Sequence, residues 1–226
     1  MSLLGNAALA MWWDIASEVK GEFEDWHSHE HFPERMSVPG FRRGTRWTSV
    51  DSGPGIFVMY EVDAHETLSS AAYAARLNAP TPWSTKMMPH HRNMVRSQCH
   101  VIESRGAGTA RCALTLRFSA DAMGGRDVPA HFRTILERCI SQPGIVGAHL
   151  LRHQPPAIAE TTEQRIRPAT DQVADWIFVV CGYDATALNA LEADAFGDSS
   201  ANRTVTSAHV KGLYSLSHSA TAADVR

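Results

Sequence analysis

The feature that most constrains the fold is an internal duplication. Pro39-Gly40 returns as Pro143-Gly144, 104 residues on, and Ile56-Phe57-Val58 returns as Ile177-Phe178-Val179, 121 residues on. Asp63-Ala64 and Asp184-Ala185 share the 121-residue spacing, so 17 extra residues fall within Gln154 to Asp175, a polar, proline-containing stretch that reads as a loop. Around these anchors each half carries the same order of patterns. Strands are expected at 8–15, 41–50, 56–62 and 98–104, with helices over the region after Val19 and over 65–77. The second half repeats this with strands at 110–118, 145–152, 176–183 and 205–216 and helices at 128–139 and 186–196. Asp51 to Gly55 and Arg105 to Gly108 read as turns. Each half is therefore β-α-β-β-α-β. A sheet with both helices on one face must bury its other face elsewhere, and two such sheets in one chain can bury theirs on each other.

The halves differ most in the stretch Glu22 to Trp47, EFEDWHSHEHFPERMSVPGFRRGTRW. Val19, Phe23 and Trp26 recur at helical spacing, and the same phase continues into His27, Glu30 and Glu34, with His31 at its edge. An apolar helix face that turns acidic and imidazole-bearing is unusual for a core helix. Pro33 cannot donate a backbone hydrogen bond, so it must kink or restart the helix, and Pro39-Gly40 ends it. Where the first half carries Glu30-His31, the second carries Thr134-Ile135 on a plainly apolar face.

The residues Trp26, Glu30-His31, Pro33-Glu34-Arg35, Pro39-Gly40-Phe41 and Arg46-Trp47 resemble the first helix and second strand of dimeric α/β-barrel proteins. The closest pattern is the uncharacterised EthD-like branch, W-x-x-x-E-H-x-P-E-R-x-x-x-P-G-F. The resemblance implies an α+β fold of two ferredoxin-like βαββαβ units in tandem, forming a pseudo-dimeric barrel inside one chain. The expected units are residues 1–107, carrying the site, and 108–219, structural, with a disordered tail at 220–226.

An imidazole titrating near neutrality with carboxylates one turn away has the parts of a general acid/base. His31 is the expected catalytic group, oriented by Glu30 or Glu34, its pKa held near neutral by burial and carboxylate acting in opposite senses. The stretch Asn78 to Arg92 is too long and apolar for a connector, and reads as a flap over the site. Trp26, His27, Trp47, Trp83, Met87, His90 and His91 are the expected substrate contacts, with Trp47, Trp83 and the Met87-Met88 loop enclosing a pocket that His31 enters. His27 and His31 share a side of the helix while His29 points away, and no H-E-x-x-H is present, so no metal is expected. Some barrels of this type hold haem through a histidine, but no attachment signature appears, and no cofactor is expected. Cys99, Cys112, Cys139 and Cys181 show no paired spacing and no electropositive neighbourhood, which argues against disulfides and cysteine nucleophiles and for a reducing cytoplasm.

The net charge of −3 supplies no footprint for nucleic acid, and no apolar run approaches the length of a membrane span. The expected ligand is a small apolar or aromatic metabolite. The expected function is cofactor-independent acid/base chemistry of an isomerase, lyase or oxygenase-like kind, with a non-catalytic ligand-binding or stress-type protein as the alternative. A homodimer is compatible with the fold, although the tandem arrangement already supplies the usual partner.

Overall fold

Alternation along the first strand determines how the layers assemble. In β1 (Ala7–Asp14), Leu9, Met11 and Trp13 pack on the helix layer, while Ala8, Ala10 and Trp12 turn the other way into a second core. The computed structural model of the chain describes residues 3–50, 55–106, 108–121, 127–196 and 209–225. Most of the 51–55 turn and the first residues of the last expected strand lie outside these ranges.

In order, β1 is followed by α1 (Lys20–Trp26), a π-helical turn (His27–His31), α2 (Phe32–Met36), β2 (Phe41–Ser49) and β3 (Ile56–Val62). After a 3-10 segment (His65–Ser69) come α3 (Ala71–Asn78), α4 (Pro82–Met87), a 3-10 turn (Met88–His90) and the long β4 (Arg92–Gly106). The second half is β5 (Cys112–Phe118), α5 (Val128–Ile140), β6 (Ile145–His153), α6 (Thr162–Ile166), β7 (Trp176–Gly182), α7 (Ala185–Phe196) and β8 (His209–Thr221).

The eight strands close as β1-β3-β2-β8-β5-β7-β6-β4, with antiparallel pairing throughout. Cut between the halves, the ring reads β4-β1-β3-β2 and β8-β5-β7-β6, the same ferredoxin-like order twice. The joins, β2 to β8 and β6 to β4, are equivalent by a pseudo-twofold. Closure leaves neither sheet with an open edge. Gly40 and Gly144 both adopt positive φ, at 93° and 90°, and a bulge follows each at Phe41/Arg43 and Ile145/Gly147.

The pairing corrects one equivalence. Arg43 faces Glu61 and Gly147 faces Cys181, so β3 and β7 correspond at an offset of 120 residues, not 121. Ile56 then matches Trp176, both on the helix layer, whereas Ile177 points into the barrel. A slip of one residue exchanges the two faces of a strand, and the insertion is 16 residues.

The lumen is filled by side chains. Trp12 and Trp47 stack on opposite sides of Phe57, with ring centroids 4.9 and 5.0 Å away, and Met59, Cys99, Leu151, Ile177, Val179 and Tyr214 close the packing. The outer layers differ in chemistry. Against the second sheet lie Phe132, Ile135, Leu136 and Cys139 of α5 and Leu188 of α7. Against the first lie Phe23, Trp26, Phe32, Met36, Met87 and Met88, with histidines among them. The expected disordered tail is instead ordered through 225. β8 runs to Thr221, a 3-10 turn (Ala222–Asp224) follows, and Ala220 and Val225 pack on the first helix layer.

Gly44 on β2 sets how closely the helix approaches. A Cβ there would stand 2.6 Å from Phe32 Cε1 and 2.8 Å from Tyr60 Cε1. Gly44→Ala is expected to cost about 1–3 kcal/mol through overpacking, measured by urea unfolding. A variant as stable as the parent would show that Phe32 is free to move.

Candidate functional site

The first helix reaches the site through a local irregularity. Phe32 N–H bonds the carbonyl of His27, five residues back, so residues 27–31 form one π-turn. Pro33, which has no N–H to give, then sits in the first turn of α2. The wider turn shifts the helical phase by one residue. His27 and His31, rather than Glu30, become the buried side, in line with Phe23 before them and Arg35 after.

Three imidazoles meet in this layer. The His27 and His31 rings are 5.4 Å apart, and His31 lies 4.6 Å from the Trp26 ring. His91 is 5.1 Å from Trp13, 5.8 Å from Trp26 and 5.9 Å from Phe23. Its Nδ1 lies 3.2 Å from the carbonyls of both Met87 and Met88, which fixes that nitrogen as the donor. The Nδ1 atoms of His27 and His31 are buried without a hydrogen-bond partner among the described residues.

Burial dominates the titration of all three. It holds His27 well below the ordinary imidazole range, with the Arg46 charge adding to the effect. It does the same to His31, helped by Arg35 and His27, and takes His91 down to about 3, helped by Arg167. The near-neutral value expected for His31 is therefore corrected: no carboxylate offsets the burial. The Glu34 carboxyl, with Oε2 3.8 Å from His31 Nδ1, is itself raised by burial against the opposing pull of Arg35.

Behind His31 lies an ion cluster. Arg35, 2% exposed, places Nη1 3.3 Å from Glu34 Oε2 and donates from Nη2 to Glu163 Oε1. Glu163 belongs to α6, inside the stretch read from sequence as a loop. Its signal was Thr161-x-x-Gln164, which forms a capping box and starts the helix. His31, Glu34 and Glu163 bring ligand-capable atoms within 4.8 Å of one another. The guanidinium already stands between the two carboxylates, however, and its charge opposes a cation. His31 Nδ1 and Glu34 Oε2 are neighbours at 3.8 Å without a hydrogen bond between them.

The remaining expected residues separate into three places. Trp26, His27, Met87 and His91 surround His31 or adjoin it. Glu30 does not orient His31. Its Oε1 accepts from Trp26 Nε1 at 3.2 Å, Thr81 Oγ1 at 2.5 Å and Ser84 Oγ at 3.4 Å, tying α4 to α1. Trp83 is only partly buried and donates to Glu22 Oε1 at 3.2 Å, beside Lys86 at 2.5 Å, and His90 is partly exposed at the end of the same segment. Trp47 is inside the lumen, stacked on Phe57, so it cannot share a pocket wall with Trp83. The expected enclosure by Trp47, Trp83 and the Met87-Met88 loop is therefore not formed.

Glu30→Ala should release three donors from one acceptor, Trp26 and Ser84 among them. The expected cost is about 1–3 kcal/mol, with faster amide exchange concentrated in residues 81–90. Unchanged exchange there would remove Glu30 as the latch.

No family model and no curated protein sequence matches the chain. Solved structures match almost end to end. An anthrone oxidase-like protein is 13% identical, with 96% of this chain and 92% of that one covered at a TM-score of 0.60. A provisionally assigned monooxygenase from Fusobacterium nucleatum subsp. nucleatum is 7% identical, with 97% and 96% covered at 0.58. A provisionally assigned chlorite dismutase is 9% identical, with 97% and 96% covered at 0.53. At such identities the likeness establishes the fold. The chain has the dimeric α/β-barrel fold, with both ferredoxin-like units supplied by one polypeptide.

Proposed function

We propose that the protein is a cofactor-independent enzyme that removes a proton from a small, flat, largely apolar or aromatic carbon acid, with His31 as the base. The observation that carries this reading is the His31 Nδ1 atom, buried without a partner and 3.8 Å from a carboxyl whose pKa is raised. A base with a depressed pKa is neutral and ready throughout the physiological range. A lasting imidazolium beside Arg35 is unfavourable, so the proton passes on to Glu34, whose affinity for it burial has increased. Isomerisation, elimination and oxygenation of a carbon acid all begin with this step, and oxygenation further requires dioxygen as co-substrate. The descriptions of structural neighbours as oxidase-like and monooxygenase proteins support the oxygenase-like variant. Access to His31 requires α4 and the 3-10 turn after it to lift, and the bonds to Glu22 and Glu30 are the contacts such a movement breaks.

The test is deuterium incorporation from D2O into a flat carbon acid, with anthrone as probe, followed by NMR with and without protein. Protein-dependent exchange at the methylene position is expected, with no loss of rate between pH 8 and pH 6.5 because the base stays unprotonated there. The filled lumen favours the second reading, a non-catalytic protein of the same fold. Absence of exchange with anthrone and related phenolic carbon acids would decide for that second reading.

A further inference from the structure

We propose that the protein carries a second ligand site, for a small organic carboxylate, under the insertion that distinguishes its second half. Residues of the 154–175 segment lie against β4 and form with it a half-open pocket of about 300 Å³ lined by Arg96, Gln98, His153, Pro155, Ile158 and Val173, among others. Val95 and Cys99 pack in the lumen while Met94 packs on the helix layer, so Arg96 and Gln98 share the outward face of β4. Both are made to meet a ligand. Arg96 is 6% exposed, and its guanidinium donates to the Tyr73 hydroxyl at 3.2 Å, yet among the described residues no carboxylate pairs with it. Gln98 is 5% exposed, and its Nε2 is buried with no acceptor among the described residues.

A buried cation without a counter-ion and a buried amide donor without an acceptor are each costly, and here they are neighbours on one strand face. Arg46 and Arg117 are also buried without a paired carboxylate among the described residues, but each guanidinium sits over an aromatic ring, Phe23 at 5.7 Å and Trp12 at 4.9 Å. Arg96 faces the cavity. A carboxylate is the group that two adjacent N–H donors recognise with best geometry, and the proline, isoleucine and valine walls suit an apolar body beyond it. The acidic residues of the cavity do not oppose this. The charge of Asp171 is matched by Arg167 at 2.5 Å, and Glu160 is exposed at the rim. His153 Nδ1 donates to the Gln98 carbonyl at 3.0 Å and holds the strand end in place.

The experiment is calorimetric titration of the full chain with benzoate, acetate and inorganic phosphate. One equivalent of benzoate is expected to bind more tightly than acetate or phosphate. Gln98→Leu should weaken benzoate roughly tenfold, the value of one hydrogen bond, and Arg96→Met should abolish binding. Gln98→Leu is not expected to lower the thermal midpoint, because it removes a donor left without an acceptor, whereas Arg96→Met also removes the bond to the Tyr73 hydroxyl. Should Arg96→Met fail to fold, Gln98→Leu still carries the test. No binding of benzoate at tens of millimolar, tighter binding of phosphate, or undiminished binding in Gln98→Leu would overturn the proposal. His31→Gln should bind benzoate unchanged, which separates this site from the acid/base reading.

Discussion

Acidification from pH 7 to pH 5 is expected to destabilise the protein by several kcal/mol. Burial depresses His27 and His31 well below the ordinary range, His91 to about 3 and His149 to about 4. An unfolded histidine titrates near 6.5, so below that pH the unfolded chain takes up protons that the native chain refuses. The stability these groups contribute is complete above about pH 6.5 and is lost as pH falls toward the native values. Between pH 7 and pH 5 an imidazole that stays neutral in the native state costs about 2 kcal/mol; His91 and His149 contribute in this way, and His27 and His31 act in the same direction. Glu34 acts in the opposite sense, since its raised pKa lets the native state bind a proton first, but it is one group against four. Folded proteins are stable by about 5–15 kcal/mol in all, so a loss of this kind takes a large share of the margin. Thermal midpoints at pH 7.5, 6 and 5 check this. A flat profile down to pH 5 would mean that the native imidazoles are charged.

Removing Arg35 alone should be the most damaging single change in the ion cluster. Arg35→Met leaves Glu34 and Glu163 buried without their cation, and breaking such a pair typically costs about 3–5 kcal/mol. The double change Arg35→Met with Glu163→Met should recover part of that, because Glu163 no longer stands as an orphaned charge while Glu34 still does. A double-mutant cycle by denaturant unfolding measures the coupling. Near-additive losses would show that the contact between α2 and α6 is incidental, and that the insertion docks by its other contacts, Ile158 and Ile166 and the bond from Thr162 N–H to Asn78 Oδ1 among them.

Much of the fold was legible because the strands that carry the duplication are bounded by strong punctuation. Pro39-Gly40 and Pro143-Gly144 mark true positive-φ turns, and β3 and β7 were found within a residue. Their register was not legible. Both are apolar on both faces, so no alternation remained to say which residues point inward. The site was half legible. The run of histidines and carboxylates was visible, but the π-turn adds a residue to the helical period, which exchanges Glu30 for His31 on the buried side. Trp47 was assigned by proximity in sequence to the motif, whereas strand alternation sends it into the lumen. Glu163, Arg96 and Gln98 were missed because their roles depend on an insertion that contacts the first half only after folding.

The most direct test of His31 as the base is the deuterium-exchange rate of His31→Gln beside that of Ile135→Ala, its counterpart in the second half. Loss of a positioned general base costs roughly 10²–10⁴ in rate, so His31→Gln should exchange the probe little faster than buffer while keeping its fold. Ile135→Ala should lose about 2–5 kcal/mol of stability to a core cavity and retain the exchange rate while folded. Exchange that survives His31→Gln, or a His31→Gln chain that unfolds while still binding the probe in its folded fraction, would contradict the assignment and make the histidine a structural element of the first helix layer.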